Sequence, residues 1–247
     1  MGKADLHMHT IHSFDGTATA RAVLQQAAHH ARLNVIAITD HDTVRGSLEA
    51  RALAAEYGIE VITGVEISTR EGHVVALFIE KDVPKGLPLI ETLARIGDLG
   101  GIAIAAHPNH PLPGSLPLST LDEAVAHPRA GRVLRGIEVF NMNPSHSPFN
   151  HLSQEAAARL PLAQIGSSDA HLAGMVGAGI TQFAGHSATD LRAAIESGAT
   201  NPAQINFEPP GRILLRWLRH YALRKLGWVK GHAEAGRPLV WTRLKSA

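Results

Sequence analysis

The sequence predicts one α/β domain built as a barrel, and three observations carry that expectation. Strand-like and helix-like runs alternate along most of the 247 residues, which is the pattern of a largely parallel sheet covered by helices. Short clusters of histidine and carboxylate follow directly on apolar runs, at 5–9, 39–42, 106–108 and 167–171, as they would if several strands converged on one face. Hydrophobic residues make up 45% of the chain and charged residues 18%, enough for one large core.

The elements follow in order. Residues 4–8 are a short apolar-rich start that carries His7 and His9 at its end. Residues 20–31 place Ala, Val and Leu at helical spacing until Asn34, and Val35-Ile36-Ala37-Ile38 reads as a buried strand by its β-branched content. A helix is expected over 46–57, stopped by Gly58 as its C-cap. Strands 59–67 and 74–79 flank the turn-like Arg70-Glu71-Gly72 and read as a hairpin-like pair that interrupts the parallel order. A helix over 89–99 and a strand at 102–105 running into His107 come next. Strands at 136–140, 162–165 and 179–183 and a helix over 188–197 complete the series. In such a barrel the loops after the carboxyl ends of the strands form the working face, and the polar clusters sit there.

Composition narrows the chemistry. Sixteen histidines accompany no cysteine, which removes thiolate zinc sites, disulfides and a cysteine nucleophile together and leaves the redox compartment open. The net charge of +1 gives no global argument for nucleic acid. No basic segment followed by an apolar stretch opens the chain, and no apolar run approaches ~20 residues. Neither a signal peptide nor a membrane span is expected, and the cytoplasm is the default location.

Imidazole and carboxylate together are a donor set for borderline divalent cations. In a strand, His7 and His9 are two apart and point to one side, with Met8 packed outward. Each cluster has a bland alternative. Asp15 beside Gly16 would serve as a turn carboxylate; Asp42 or Thr43 is expected to be the N-cap of the following helix, a role that does not employ His41. Glu66 would be a solvated strand end, His73 a surface side chain and His107, before Pro108, a satisfied buried histidine. These alternatives do not account for the recurrence of the pattern on one face.

Taken in order, the motifs Asp5-Leu6-His7-Met8-His9-Thr10, Ser13-Phe14-Asp15-Gly16, Ile38-Thr39-Asp40-His41-Asp42-Thr43, Gly64-Val65-Glu66-Ile67-Ser68, Ala106-His107-Pro108 and Ser168-Asp169-Ala170-His171 resemble those of the PHP (polymerase and histidinol phosphatase) superfamily, over about residues 3–200. Within it the chain is most similar to the short, free-standing TrpH-like metal-dependent phosphoesterases, whose appended C-terminal segment resembles residues 168–197. The resemblance implies a distorted (β/α)7 barrel of the PHP type over 1–200 with a trinuclear metal centre, followed by a basic, amphipathic C-terminal helical extension over 201–247. It implies one ion among His7, His9, Glu66 and Asp169, a second sharing Glu66 with His73 and His107, and a third on Asp15, His41 and His171. Asp15 stands where some members carry histidine, which hardens that position and favours manganese or iron over zinc. Two or three divalent ions, Zn, Mn or Fe, are the expected cofactors. Only the short stretches 108–135 and 141–160 stand where TrpH-like enzymes often insert a subdomain.

A water between two divalent cations is acidified from ~15.7 towards ~7, so hydroxide is available at neutral pH to attack phosphorus. A third cation can hold the nonbridging and leaving oxygens. The expected activity is hydrolysis of phosphate mono- or diesters of a small molecule, nucleotide or short oligonucleotide. Asp40 and Asp42 are candidates for orienting histidines or for proton transfer to the leaving group, with Asp5 and Ser168 as further orienting groups. Arg45, Arg70, Asn109, His110, Asn143 and His146, on same-face loops, are candidate substrate contacts.

Two rivals remain. An amidohydrolase also uses an HxH on its first strand but usually needs a lysine in the site, and here only Lys3 is near. A noncatalytic metal-stabilised module is the other, and the filling of all nine donor positions counts against it. Residues 211–230 combine Arg212, Arg216, Arg219, Arg224, Lys225 and Lys230 with Ile, Leu and Trp and no acidic residue. They read as a basic amphipathic helix that packs its apolar side on the barrel or a sister subunit, with contact to an anionic surface as the alternative. No obligate protein partner is expected.

Overall fold

The computed structural model describes residues 1–205, 208–233 and 237–244. Strands β1 (Gly2–Asp5), β2 (Val35–Ile38) and β3 (Glu60–Ser68) run parallel. Strand β4 (His73–Leu77) is antiparallel to both β3 and β5 (Ile102–Ala105), and β6 (Leu134–Asn141) and β7 (Ala163–Ser167) restore the parallel order. The anticipated interruption is therefore present. On the far side of β1 lie β8 (Gly179–Phe183) and then β9 (Thr200–Gln204), each antiparallel to its neighbour, which makes one nine-stranded sheet.

The sheet curls into a nearly closed distorted barrel, and side chains bridge its seam. Thr181 Oγ1 accepts the Gly166 N–H at 3.1 Å and donates to the Gly166 carbonyl at 3.0 Å, and Thr200 Oγ1 donates to the Gln164 carbonyl at 2.8 Å. Nearer the carboxyl end the chain beyond β1 meets the chain beyond β7 directly, through a parallel Met8–Ala170 bridge and a 2.9 Å bond from the His9 N–H to the Ala170 carbonyl.

Helices α1 (Ala20–Gln25), α2 (Arg45–Tyr57), α3 (Leu89–Asp98), α4 (Leu118–Ala126), α5 (Asn150–Ala157) and α6 (Ala188–Ser197) cover the sheet. Thr19 caps α1, which widens into a π-helical turn over Gln26–Ala31, and Gly58 (φ 61°) ends α2 as expected. Helices α4 and α5 and strand β9 were not anticipated. The buried face of α5 is Asn150, Ser153, Ala156 and Ala157, so no apolar stripe marks it, and α4 buries only Leu121 and Ala124. Strand β9 contains Pro202 and is half-exposed, as an edge strand tolerates.

Alternation along the strands sorts the core into layers. Ile36 and Ile38 face outward into a cluster with Met8 and Leu24, whereas Val35 and Ala37 face the barrel interior with Leu6, Leu77, Ile104 and Ile165. A third cluster packs Val65, Ile67 and Val139 against Leu93, Ile96 and Leu121 of the outer helices. Phe183 and, from α6, Leu191 and Ile195 join the interior cluster. That apolar filling leaves the carboxyl end of the strands for polar groups.

The extension is not wholly helical. Helix α7 (Pro210–Lys225) stops before Gly227 (φ 84°), and Trp228 begins β10 (Trp228–Gly231), which pairs with β11 (Val240–Arg243). The expected helix over 211–230 is thus a helix followed by a strand, because a left-handed glycine and a β-forming Trp-Val pair interrupt it. Residues 206–207, 234–236 and 245–247 of the anticipated extension lie outside the described residues. Among the described residues no helix is long and apolar enough to cross a membrane.

Asp5 was expected to orient a histidine, but its carboxylate holds backbone instead. Oδ1 accepts the Ser168 N–H at 3.0 Å and Oδ2 the Gly177 N–H at 2.8 Å, and burial pushes its pKa up to about 6. Asp5→Ala leaves two buried amides unpaired and should lower the unfolding free energy by about 2–4 kcal/mol in urea titration. A loss below about 0.5 kcal/mol would show that these amides find other partners.

Candidate metal centre

Strand alternation delivers the donors. Val65 and Ile67 face the outer core, so Glu66 points into the barrel, where it is 1% exposed. His7 and His9 leave β1 on the same inward side, with ring centroids 5.2 Å apart and Met8 facing outward between them. Glu66 Oε2 lies 3.2 Å from His7 Nε2, 3.4 Å from His9 Nε2 and 2.9 Å from His41 Nδ1. Its other oxygen, Oε1, lies 2.9 Å from His73 Nδ1 and 3.2 Å from His107 Nε2.

A second carboxylate, Asp169, places Oδ1 3.6 Å from His7 Nε2, 3.2 Å from His9 Nε2 and 3.5 Å from His171 Nδ1. Asp15 Oδ2 sits 3.0 Å from His171 Nε2 and 3.4 Å from His41 Nε2. The structure thus brings together all nine side chains that the sequence singled out. Their donor atoms fall into groups that can hold a divalent metal: His7, His9 and Glu66; His41, Glu66 and His73; and His9, Asp15, His41 and His171. A further group, His107, His146 and Asp169, was not anticipated.

Several buried atoms of the cluster lack hydrogen-bond partners, namely His7 Nε2, Asp15 Oδ1 and His107 Nδ1. A carboxylate can only accept, so the 2.8 Å contact of His7 Nδ1 with Glu138 Oε1 puts a proton on Nδ1. Nε2 is then turned at two carboxylates without a hydrogen bond. A divalent cation held by these residues would satisfy such a nitrogen.

Electrostatics run the same way. Burial opposes ionisation of Glu66, but His41, His7 and His73 outweigh it and hold the carboxyl well below the usual range. Burial would likewise lower His41 and His171. Glu66 and Asp15 outweigh that effect at His41 and raise it to about 11, and Asp15 and Asp169 raise His171 to about 9. His9 is pushed down, by burial and by the neighbouring His171 and His41.

Glu138 was missed. It is buried on β6 with Ile137 and Val139 facing the outer core on either side, and it carries four bonds. Oε1 meets His7 Nδ1 and Ser167 Oγ, and Oε2 accepts the His107 N–H at 2.8 Å and Asn141 Nδ2 at 3.0 Å. Asn141 Nδ2 also reaches Asp169 Oδ2 at 3.1 Å. The available signal was one acid inside an otherwise apolar strand run.

The weaker assignments divide. Asp40 is buried and spent on the loop after His9, accepting the Thr10 N–H at 2.6 Å, Thr10 Oγ1 at 2.7 Å and the Ser13 N–H at 3.2 Å. Asp42 accepts the Ser68 N–H at 2.8 Å and Ser68 Oγ at 3.2 Å. Neither Asp42 nor Thr43 is the N-cap of α2; that position is Val44, whose N–H is taken by Asp82 Oδ1 at 2.7 Å. Above the donors opens a cavity of about 410 Å³ lined among others by Phe14, Ser68, Asn143, Ser145 and His146. Of the six expected substrate contacts, Asn143 and His146 line it. Arg45 and Arg70 are exposed outside it, Asn109 bonds the Leu152 carbonyl at 3.3 Å, and His110 is buried between His146 and Ser153. A separate cavity of about 380 Å³ near His30, Arg216 and Lys230 is lined by no carboxylate among the described residues.

Four non-glycine residues with left-handed backbone, Asp42 (φ 57°), His107 (φ 31°), Asn109 (φ 62°) and Asp169 (φ 47°), are at or beside the site. Such conformations cost about 1–3 kcal/mol each and persist where surrounding structure fixes them.

Comparison with known proteins decides the lineage. The PHP domain profile matches residues 5–115 and the PHP-associated profile residues 148–200. The chain belongs to the PHP family. It is 40% identical over 149 residues to an uncharacterized protein of Methanocaldococcus jannaschii, covering 56% of this chain and 81% of that one. It is 44% identical over 106 residues to a 5′-3′ exoribonuclease of Haemophilus influenzae, covering 41% of this chain and 38% of the enzyme. It is 41% identical over 88 residues to a 3′,5′-nucleoside bisphosphate phosphatase of Chromobacterium violaceum, covering 34% and 30%. The aligned stretch therefore spans only about a third of those two enzymes. A solved two-domain protein from Bacteroides vulgatus, described as containing a PHP-like metal-dependent phosphoesterase, shares the fold with a TM-score of 0.62 at 20% identity, over 98% of this PHP chain and 75% of that chain.

Two outcomes follow from the site. Glu138→Gln removes the carboxylate that fixes the His7 tautomer, and divalent metal affinity measured by calorimetry should fall roughly 10–100-fold. Unchanged affinity would remove Glu138 from the network. In metal-free protein the folded-state values of His171 and His41 lie above the ordinary histidine value of about 6.5. Their contribution to stability is fully present below that pH and is lost as pH rises through about 9 and then about 11. The urea midpoint of metal-free protein should fall between about pH 7 and 10, and a midpoint that rises across that window would contradict the pairing.

Proposed function

We propose that this PHP protein is a metal-dependent phosphoesterase that hydrolyses phosphate mono- or diesters of a small molecule, nucleotide or short oligonucleotide. The observation that carries the reading is one buried carboxylate, Glu66, within 3.4 Å of five imidazoles at the floor of an open pocket. The names of the two bacterial relatives, an exoribonuclease and a bisphosphate phosphatase, support the substrate class.

In this reading His7, His9, Glu66 and Asp169 hold one ion, Glu66, His73 and His107 a second, and Asp15, His41 and His171 a third. Bound divalent cations supply a hydroxide at neutral pH and neutralise charge on the phosphoryl oxygens. Glu66 would offer Oε2 to the group of His7, His9 and His41 and Oε1 to that of His73 and His107. Glu138 holds the proton of His7 away from the pocket, and Asn141 orients Asp169. Asn143 and His146 face the substrate space. Asp40 and Asp42 are positioning groups: Asp40 fixes the 10–13 loop, and Asp42 ties the β2 loop to Ser68. The donor set of oxygen and nitrogen admits manganese, iron or zinc.

The pocket wall contains no lysine or arginine among the described residues, while Asp15, Glu66 and Asp169 line it. With no arginine or lysine on that wall, charge on a bound phosphate would be met by the imidazoles and by cations that the donor cluster would hold. The same lining disfavours an amidohydrolase with a lysine in its site, since Lys3 is exposed on β1 and outside the pocket. We also propose that residues 1–200 form the catalytic unit and 201–247 an extension, with β9 joining them.

Chelation should abolish turnover of aryl phosphates or phosphodiesters, and added manganese, iron or zinc should restore it. Asp169→Ala should lower kcat by roughly 10²-fold or more while circular dichroism stays native. Full turnover by metal-stripped protein, or near-normal turnover by Asp169→Ala at full metal content, would overturn the proposal.

A further inference from the structure

The pocket above the histidines does not end at the barrel. A second cavity of about 230 Å³ shares Asp15, Asn143, Ser145 and His171 with it, so the two adjoin across those residues. Beyond the shared residues its wall is Pro144, Met175, Ile213, Leu214 and Trp217, which is apolar and uncharged. Three of these come from α7, past the last residue matched by the family profiles.

That wall is fixed in place. Trp217 Nε1–H donates to the Asp15 carbonyl at 3.1 Å, its ring stacks on Tyr221 at 5.0 Å, and Ile213 is 7% exposed. Leu214 lines the same cavity yet is 46% exposed, so apolar surface stands uncovered beside the donor cluster. On the rim of the first cavity Phe14 is 69% exposed and stacks on His41 at 5.0 Å.

We propose that α7 supplies a specificity subsite for the flat, apolar alcohol portion of the substrate, an aryl or nucleobase-bearing group, while its phosphate sits at the histidine–carboxylate cluster. This rests on the phosphoesterase reading. The cavity over the donors, about 410 Å³, falls in the range of about 300–1,000 Å³ usual for small ligands, and the adjoining one adds room beside it. A second or third phosphate would call for basic side chains, and the second cavity has none among the described residues. The subsite therefore suits a single aromatic group better than a continuing polynucleotide backbone. Burial of a ring against Leu214 and Trp217 adds binding that a small aliphatic ester cannot obtain.

The test compares phenylphosphonate with methylphosphonate, bound to metal-loaded protein and read by calorimetry, alongside kcat/KM for phenyl phosphate and glycerol phosphate. Wild type should prefer the phenyl compounds. Leu214→Asp should cut that preference roughly tenfold, and the milder Leu214→Ser severalfold. Leu215→Asp, on a neighbouring residue that is 70% exposed and lines neither cavity, should leave the preference as in wild type. Equal binding of both phosphonates by wild type, or an unchanged preference in both Leu214 variants, would overturn the subsite while hydrolysis itself continued. Absence of both phosphonate binding and ester turnover would instead overturn the phosphoesterase reading, and the subsite with it.

Discussion

A charged carboxylate buried at the centre of the barrel is the constraint on which the rest of the structure depends. An isolated ionised group in such a place is expensive by many kcal/mol, so it must be paired on every side. Glu66 is paired by imidazoles from the segments after β1, β2 and β5 and from the start of β4. The antiparallel course of β4 matters here. Strands β1, β2, β3, β5, β6 and β7 bring their carboxyl ends to this face, whereas β4 brings its first residue, His73, which pairs directly with Ser68 at the end of β3. A parallel strand in that place would have put its amino end, and His73 with it, at the opposite mouth of the barrel.

The orienting groups follow from the same demand. Imidazoles around a carboxylate must each present a chosen nitrogen, and the protein fixes that choice with a further ring of buried polar atoms. Glu138 fixes His7 by its side chain and His107 by its backbone. Ser13 touches His9 Nδ1 at 3.0 Å and accepts the His41 N–H at 2.8 Å. The left-handed backbone at His107 and Asp169 aims those side chains, and bonds such as the one from the His107 N–H to Glu138 offset the strain.

Much of this was legible in the sequence. Period-two alternation places His7, His9 and Glu66 inward, and the apolar runs before His41, His107 and Asp169 locate their strands. Less was legible where burial did not coincide with an apolar pattern. Helix α5 buries Asn150 and Ser153, so its stripe is invisible to hydropathy. Loop position alone suggests Arg45 and Arg70 as substrate contacts, yet both side chains are exposed outside the pocket. Glu138 was recoverable in principle. It is flanked by residues that face the outer core, so its carboxylate had to face the interior, and an interior carboxylate requires partners.

The extension shows how a segment with little sequence signal joins the site. Asp15 lies in a loop well beyond β1, where no strand supports it. Gly16 is needed there because a Cβ would run into the Thr10 carbonyl. From one side α7 holds the loop: Trp217 bonds the Asp15 carbonyl, and Arg224 bonds the carbonyls of Gly16 and Ile11. From the other, the Lys230 N–H donates to the Thr17 carbonyl at 3.0 Å, and the Lys230 carbonyl accepts the Thr19 N–H at 2.9 Å. Loop backbone without such partners samples many conformations, and a carboxylate carried on it would be held loosely. The basic, leucine-rich character of α7 follows in part from this task. Its arginine reaches backbone carbonyls, its tryptophan combines an apolar body with one donor, and Ile213 anchors the helix to the core.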